Sequence, residues 1–315
     1  MSAPRYTGRD LAWLIPTKDR PDVIRELLES LAAQTIPCGR VLVVASGIDI
    51  EDVVMAFRDR LPIEYFRCEP PGQIRQRNLG ISRLDERTPL VGFLDDDLML
   101  EPDALEQMIA FWNRVDAETA GVGFNIVNAP PPPSSLLARL VFMRTPEPGR
   151  VLRSGYNSRI DGLDHDIRTQ WLGGGYTVWR REILEQYRQP ELRTRWAIGE
   201  DIRFSYPVGK RHPLYVCATA RARHLPIADQ APADNVQRYR GRKSALAAFH
   251  FAQSHPELSP AACLAMLCAR VAGQLARGLR GERGALQFAA GQAHAIGICV
   301  KSIFGAADVR AALED

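Results

Sequence analysis

Cysteine is sparse and nowhere arranged for metal or redox work: Cys38, Cys68, Cys217, Cys263, Cys268 and Cys299 include no CxxC pair. That spacing argues against a zinc knuckle or a disulfide framework and fits a reducing cytoplasm. A long Lys/Arg block interleaved with aromatics is also missing, and the net charge is only +3, so nucleic acid is not an expected partner. The N-terminal MSAPRYTGRDLAWLIP has too short an apolar stretch before Pro16 and Lys18 for a secretory signal. No segment before residue 284 reads as a bilayer span, and 284–300, though free of formal charge, contains Gln287, Gln292 and His294, which suit a span poorly. Internal repeats are not visible. What remains, 46% hydrophobic and 24% charged over 315 residues, is the composition of an ordinary globular protein. Its length allows one large α/β domain with an appendage, or two modest domains.

The rest of the chain is organised around VGFLDDDLML, residues 91–100. An apolar run that ends in Asp95, Asp96 and Asp97 reads as a buried strand delivering charge to the edge of a parallel sheet, where open α/β folds bind their ligands. Three adjacent carboxylates repel one another unless a cation sits among them, and a divalent ion on a diphosphate meets that need. The competing reading makes Asp97 or Glu101 a cap for a helix opened by Pro102.

Around this stretch, strands are predicted at 11–15, 40–45, 63–68, 91–94, 120–127 and 214–218, and helices at 20–33, 49–61, 73–84, 102–115, 181–187 and from 199. The alternation β-α-β-α-β-α-β implies a doubly wound, mostly parallel sheet. APPPPSS at 129–135 reads as a surface loop. Beyond residue 235 only helices are predicted, so the boundary is placed near 230, giving a catalytic domain over 1–230 and a helical extension over 231–315. Within the extension Ser259 and Pro260 open a helix with Leu264, Leu267, Val271 and Leu275 on one face and Arg270, Arg277 and Arg280 on the other. Such a helix packs on the catalytic domain or lies on an anionic membrane.

IPTKDRP after the first strand, RNLGI at 77–81, FLDDD at 93–97, WLGGGYTVWRREIL and GEDIRFS at 199–205 together resemble glycosyltransferase family 2, over roughly residues 11–224. The resemblance implies a GT-A (nucleotide-diphospho-sugar transferase) fold, Rossmann-like, with a C-terminal helical extension. It also implies an inverting transfer of a single sugar from a nucleotide-diphospho-sugar donor to a glycan or lipid-linked acceptor hydroxyl, in building a bacterial surface polysaccharide or glycolipid. Neither a QxxRW-like motif nor several membrane helices, the marks of a processive synthase, is visible.

By the same resemblance, Asp95 and Asp97 act with Mn²⁺ or Mg²⁺, and His224 stands where a histidine completes the metal shell in related enzymes. Asp201 is the expected base, tuned by Glu200. Pro16, Thr17, Arg20, Arg77, Asn78, Asp95 and Asp96 are expected on the donor side. Trp171, Gly174 and Gly175 are expected on the acceptor side, because glycines let backbone approach a ligand or take positive φ and an aromatic face stacks on sugar. The sequence departs from the family after the second strand, where Ala45 and Ser46 replace the acid that reads the base and Asp49 is the nearest substitute, and at Arg203, where relatives are often acidic. The expected location is the cytoplasm, with peripheral contact at the inner membrane face. The alternatives are a haloacid-dehalogenase-like phosphatase, disfavoured by Leu98 and Met99 after the acids, and a catalytically silent glycan-binding or assembly protein.

Overall fold

The computed structural model describes residues 5–129, 143–189, 191, 198–225 and 233–315. Apart from Ala129, the loop expected at 129–135 lies outside them, as does the boundary placed near 230. Contacts divide the chain into two compact units, one of Met1–Pro132, Ile160–Glu191 and Glu200–Ile227, the other of Pro133–Arg159, Leu192–Gly199 and Ala228–Asp315.

In the first unit β1 (Leu11–Lys18), β2 (Arg40–Ser46), β3 (Ile63–Arg67) and β4 (Leu90–Leu94) are joined by α1 (Pro21–Ala32), α2 (Glu51–Met55) and α3 (Gln73–Ser82). β1, β2 and β4 are almost wholly buried, as parallel strands covered on both faces must be. α1 starts with Pro21 at its first position and buries Ile24, Leu27, Leu28 and Leu31, the apolar stripe expected for it.

Beyond β4 come β5 (Leu98–Leu100), α4 (Ala104–Arg114), β6 (Gly121–Ile126), β7 (Ile167–Thr169), β8 (Tyr176–Arg180), α5 (Arg181–Gln186), α6 (Glu200–Gly209) and β9 (Leu214–His224). Among the described residues these strands form one sheet in the order β3-β2-β1-β4-β8-β6-β9-β5, with β7 also paired to β9. β8 runs antiparallel to both β4 and β6, so the sheet is mixed after a parallel first half. Trp13, Trp112, Trp179, Phe93 and Phe124 are fully buried and fill the layers beside it.

Four elements differ from the sequence expectation. β1 runs through Pro16 to Lys18, because past the pair Leu14↔Phe93 it has β2 alone as neighbour, and a one-sided strand tolerates proline. α2 stops at Met55 and turns follow. Residues 98–100 form an edge strand rather than the approach to a helix, and Asp103, without a side-chain cap bond, stands at the N-cap of α4; neither Asp97 nor Glu101 does. β9 continues six residues past Ala218, through an irregularity opposite Phe124 and Asn125, and its last residues pair with β5.

The second unit contains α7 (Asp234–Gln253), α8 (Pro260–Leu279), α9 (Ala285–Ile303) and α10 (Val309–Glu314). Ser259 caps α8 through its hydroxyl, which accepts from the Ala262 amide. Gly241 and Gly291 bring α7 and α9 together: a Cβ on Gly241 would meet the Phe288 carbonyl, and one on Gly291 the Arg238 carbonyl. The buried Lys243 ammonium donates to the Ala312 and Leu313 carbonyls at 3.3 and 2.7 Å, tying α10 to α7. α8 buries Cys263, Met266 and Leu267, whereas Leu275, expected on the packed face, is exposed. With a mean hydropathy of 1.2 over 18 residues, α8 is also long and apolar enough to cross a bilayer, which corrects the expectation that nothing before residue 284 is. Its charges are isolated Arg residues set among Ala and Leu, which barely lower the average.

Gly92 pairs with Trp13 in the β1–β4 register, and a Cβ there would lie 2.1 Å from the indole ring, which has no room to retreat. Gly92→Ala should therefore lower unfolding free energy by roughly 1–3 kcal/mol, measured by urea denaturation.

Candidate active site

β1 and β4 end side by side, and the three acids after Leu94 reach three different sets of partners. Asp96 is buried and turns back to β1: the Thr17 hydroxyl donates to it at 2.7 Å and Arg20 at 3.0 Å. Burial raises its pKa, and the Thr17 bond and Arg20 charge only partly oppose this. Gln76 donates to the carbonyls of Thr17 and Val44, holding the ends of β1 and β2 at fixed spacing. Pro16 is part of β1, buried, with no polar side chain to offer. Arg20 stays half exposed beside Asp96 and Asp97, placed to meet an anionic ligand.

Asp95 turns the other way. Its Oδ1 accepts from Gln73 at 2.8 Å and from Arg77 at 2.9 Å. Arg77 is 2% exposed, lies over the Phe93 ring, and lends its charge to Asp201 and Glu200 as well. Its fork therefore serves carboxylates of the chain itself. Asn78 faces away, donating to the Gln189 carbonyl and Glu191. Asp49 is engaged by the Tyr65 hydroxyl and the Glu51 amide.

Asp97 meets the end of β9. The register Leu98↔His224 and a bond from the Leu225 amide to the Asp97 carbonyl bring His224 Nδ1 to 3.6 Å from Asp97 Oδ1. That is longer than a hydrogen bond, and Asp97 Oδ1 is buried without a hydrogen-bond partner. Burial pushes the Asp97 pKa up, but the facing His224 and the Arg20 charge outweigh it and leave the carboxyl below its usual range; Asp97 in turn raises His224. An orphaned carboxylate oxygen facing an imidazole nitrogen across this gap fits a divalent cation, since two ligands of one ion at about 2.1 Å stand roughly 3–4 Å apart. Among the described residues no three His, Cys, Asp or Glu side chains are arranged as a metal cage. Such a site suits Mg²⁺ or Mn²⁺, which keep water and substrate phosphates in their shell. Asp95, expected as a ligand, has its Oδ1 committed to Gln73 and Arg77.

The glycine run supplies clearance. None of Gly173, Gly174 and Gly175 has positive φ. A Cβ on Gly173 would meet the Tyr176 hydroxyl, on Gly174 the Asp201 carboxylate, and on Gly175 the Asp95 carboxylate, each within about 2.5 Å. The Gly175 carbonyl also accepts from the Asp95 amide. Trp171 is buried and Trp179 is core, its ring against Phe204.

Asp201 and Glu200 open α6, where the helix dipole favours negative charge. Asp201 is surrounded by dense protein yet keeps an exposed surface. Burial raises its pKa, with the Arg77 charge and the Gly174 amide opposing and Asp95 adding. Glu200 is pushed up to about 7, by burial first and then by the Asp201 charge.

Three residues at this site escape sequence reasoning. Gln73 is one of many helix glutamines. Tyr176 is closely hemmed in, and burial, then Asp161, Asp201 and Asp95, push its phenol well above the usual range; it bonds Asp161 and stands edge-on to His224 at 6.2 Å. Asp161 lies where the sequence shows no periodicity. β9 carried a usable signal, because ATARAR at 218–223 alternates alanine with the polar residues Thr219, Arg221 and Arg223 at the period of a strand.

The sequence profile of Glycosyl transferase family 2 matches residues 12–188. The chain belongs to that family. Among solved structures, the transferase is similar to residues 1–349 of Staphylococcus aureus TarS, with 17% identity over 97% of this chain and 88% of that one and a TM-score of 0.57. It is also similar to the mannosyltransferase PcManGT of Pyrobaculum calidifontis, crystallised with GDP-Man and Mn²⁺, with 16% identity over 96% and 89% and a TM-score of 0.54. It spans 43% of a longer TarS structure, at 19% identity, 78% coverage of this chain and a TM-score of 0.50. A search of curated proteins finds no match. The fold is GT-A, as expected, and the chain is a glycosyltransferase, which sets the phosphatase alternative aside.

Because Glu200 binds its proton more tightly folded than unfolded, the folded state loses relative stability as pH rises from about 4.5 to about 7. Glu200→Gln should gain stability over wild type between pH 5 and pH 8 by on the order of 1–3 kcal/mol, read from urea melts at the two pH values; a constant difference would contradict the burial of its charge.

Proposed function

We propose that the transferase moves one sugar, with inversion, from a nucleotide-diphospho-sugar to an acceptor hydroxyl of a glycan or lipid-linked glycan, with a divalent cation at Asp97 and His224. The observation that carries this reading is the division of labour among the carboxylates. Asp95 and Asp96 are bound by Arg77, Gln73, Thr17 and Arg20, Asp97 keeps a free buried oxygen beside His224, and Asp201 rests on Gly174 with a raised pKa. Binding of GDP-Man with Mn²⁺ by the similar mannosyltransferase supports a donor of this chemical class.

In the proposed reaction the acceptor oxygen attacks the anomeric carbon as the bond to the diphosphate breaks, and the acceptor proton passes to Asp201. A carboxyl with a raised pKa accepts that proton more readily than an ordinary one. Arg77 keeps Asp95 and Asp201 from repelling each other apart, and exposed Arg20 adds positive charge on the diphosphate side. The cation supplies charge stabilisation to the departing nucleotide diphosphate.

Nucleotide release from UDP-, GDP- and dTDP-sugars should occur with one donor and require Mn²⁺ or Mg²⁺. Asp97→Ala should lower it by roughly 10²–10³ through loss of metal-assisted charge stabilisation. Asp201→Asn should lower acceptor-dependent release by roughly 10²–10⁴ while leaving donor binding intact. Full acceptor-dependent release by Asp201→Asn would remove it as the base, and donor binding without release under any acceptor would favour a binding protein.

A further inference from the structure

Six of the seven large hydrophobic side chains exposed among the described residues belong to the hairpin of α8 and α9 and its end. On α8, Ala265, Ala272, Leu275 and Leu279 face solvent at helical spacing, with Leu279 85% exposed. On α9 and its C-cap, Leu286, Ala293, Val300 and Phe304 do the same, with Phe304 80% exposed. Only 17% of the apolar window of α8 is buried, the reverse of a core helix. Single exposed apolar residues are ordinary, but two adjacent helices with apolar outer faces are an interaction surface.

Charge selects its partner. From Pro260 to Phe304 the only acid is Glu282, against Arg270, Arg277, Arg280, Arg283 and Lys301. Arg277 is bound to Glu282, while Arg280 and Arg283 are exposed at the turn with no acidic partner among the described residues. Two copies of this face would bring like charges together. An anionic lipid surface matches both its apolar and its cationic character. Arg270 occupies the middle of α8, which disfavours a span and favours a helix lying in the interface.

Beside this face, α7 and α9 line an open cavity of about 370 Å³ formed by Asn235, Arg238, Tyr239, Arg242, Gly291 and His294. Arg238 and Arg242 stand one turn apart, and Arg242 Nε is buried without a hydrogen-bond partner. No acid is among the lining residues, so the cavity has the donors and charge for a phosphate. His294 follows the exposed Ala293 on α9, placing the cavity on the flank of the apolar face.

We propose that the α8–α9 hairpin lies on an anionic bilayer, with its apolar face in the headgroup and acyl boundary and a lipid phosphate in the Arg238–Arg242 cavity. The test is cosedimentation of the full chain with phosphatidylglycerol/phosphatidylcholine vesicles and with pure phosphatidylcholine vesicles, at low and high salt. Binding should be at least roughly tenfold stronger to the anionic vesicles and weaken with salt. The double variant Leu279→Asp with Phe304→Asp should lose roughly a hundredfold, and Arg238→Ala with Arg242→Ala roughly tenfold, each with unchanged circular dichroism and unchanged nucleotide release in solution. Absence of wild-type binding to anionic vesicles overturns the proposal. Undiminished binding by the Asp variant removes the apolar face from it, and undiminished binding by the Ala variant removes the phosphate cavity. A dimer in solution that the Asp variant converts to monomer, with no vesicle binding, assigns the face to a second copy instead.

Discussion

The site depends on one buried cation. Arg77 lies almost wholly out of solvent, bonded to Asp95 and close enough to Asp201 and Glu200 to pull both pKa values down against burial. A guanidinium in that position is costly to desolvate, and its neighbours are costly without it: removing one member of a buried pair leaves an uncompensated charge, typically about 3–5 kcal/mol. The arrangement lets several acids share a small volume. Phe93 contributes by offering the face of its ring to the cation, so the strand that delivers the acids also supports their counter-charge.

Packing around the glycine run is the second constraint. Tyr176, Asp201 and Asp95 press against three successive Cα atoms, so their positions relative to one another are set by backbone rather than by flexible side chains. The contact is rigid because the backbone itself forms one side of it. It joins β8, α6 and β4, elements far apart in sequence, at one place.

Much of the fold was legible because its signals are local. Apolar runs ended by Pro, Ser-Gly or acids mark β1, β2 and β4, and helical spacing in VIRELLESL marks α1. The acids of 95–97 were legible as a group and Asp201 as a motif. Their division was not, because it is decided by Thr17, Arg20, Gln73, Arg77 and His224, which come from 18 to more than 100 positions away in the chain. β5 is three residues long, too short for periodicity to declare, and without it the strand reach of β9 has no visible purpose. Asp161 joins the site through its bond to Tyr176, and no pattern in a single sequence announces such a contact.

The short pairing of β5 with β9 has one more consequence. Asp97 immediately precedes Leu98, and Leu98 is opposite His224, so the two side chains stand at the last rung of a three-residue antiparallel ladder at the edge of the sheet. Any ion held between them spans both strands, acting as a crosslink just where the ladder would fray. Occupancy of the site and closure of the sheet margin are therefore thermodynamically linked, and each favours the other by the same amount.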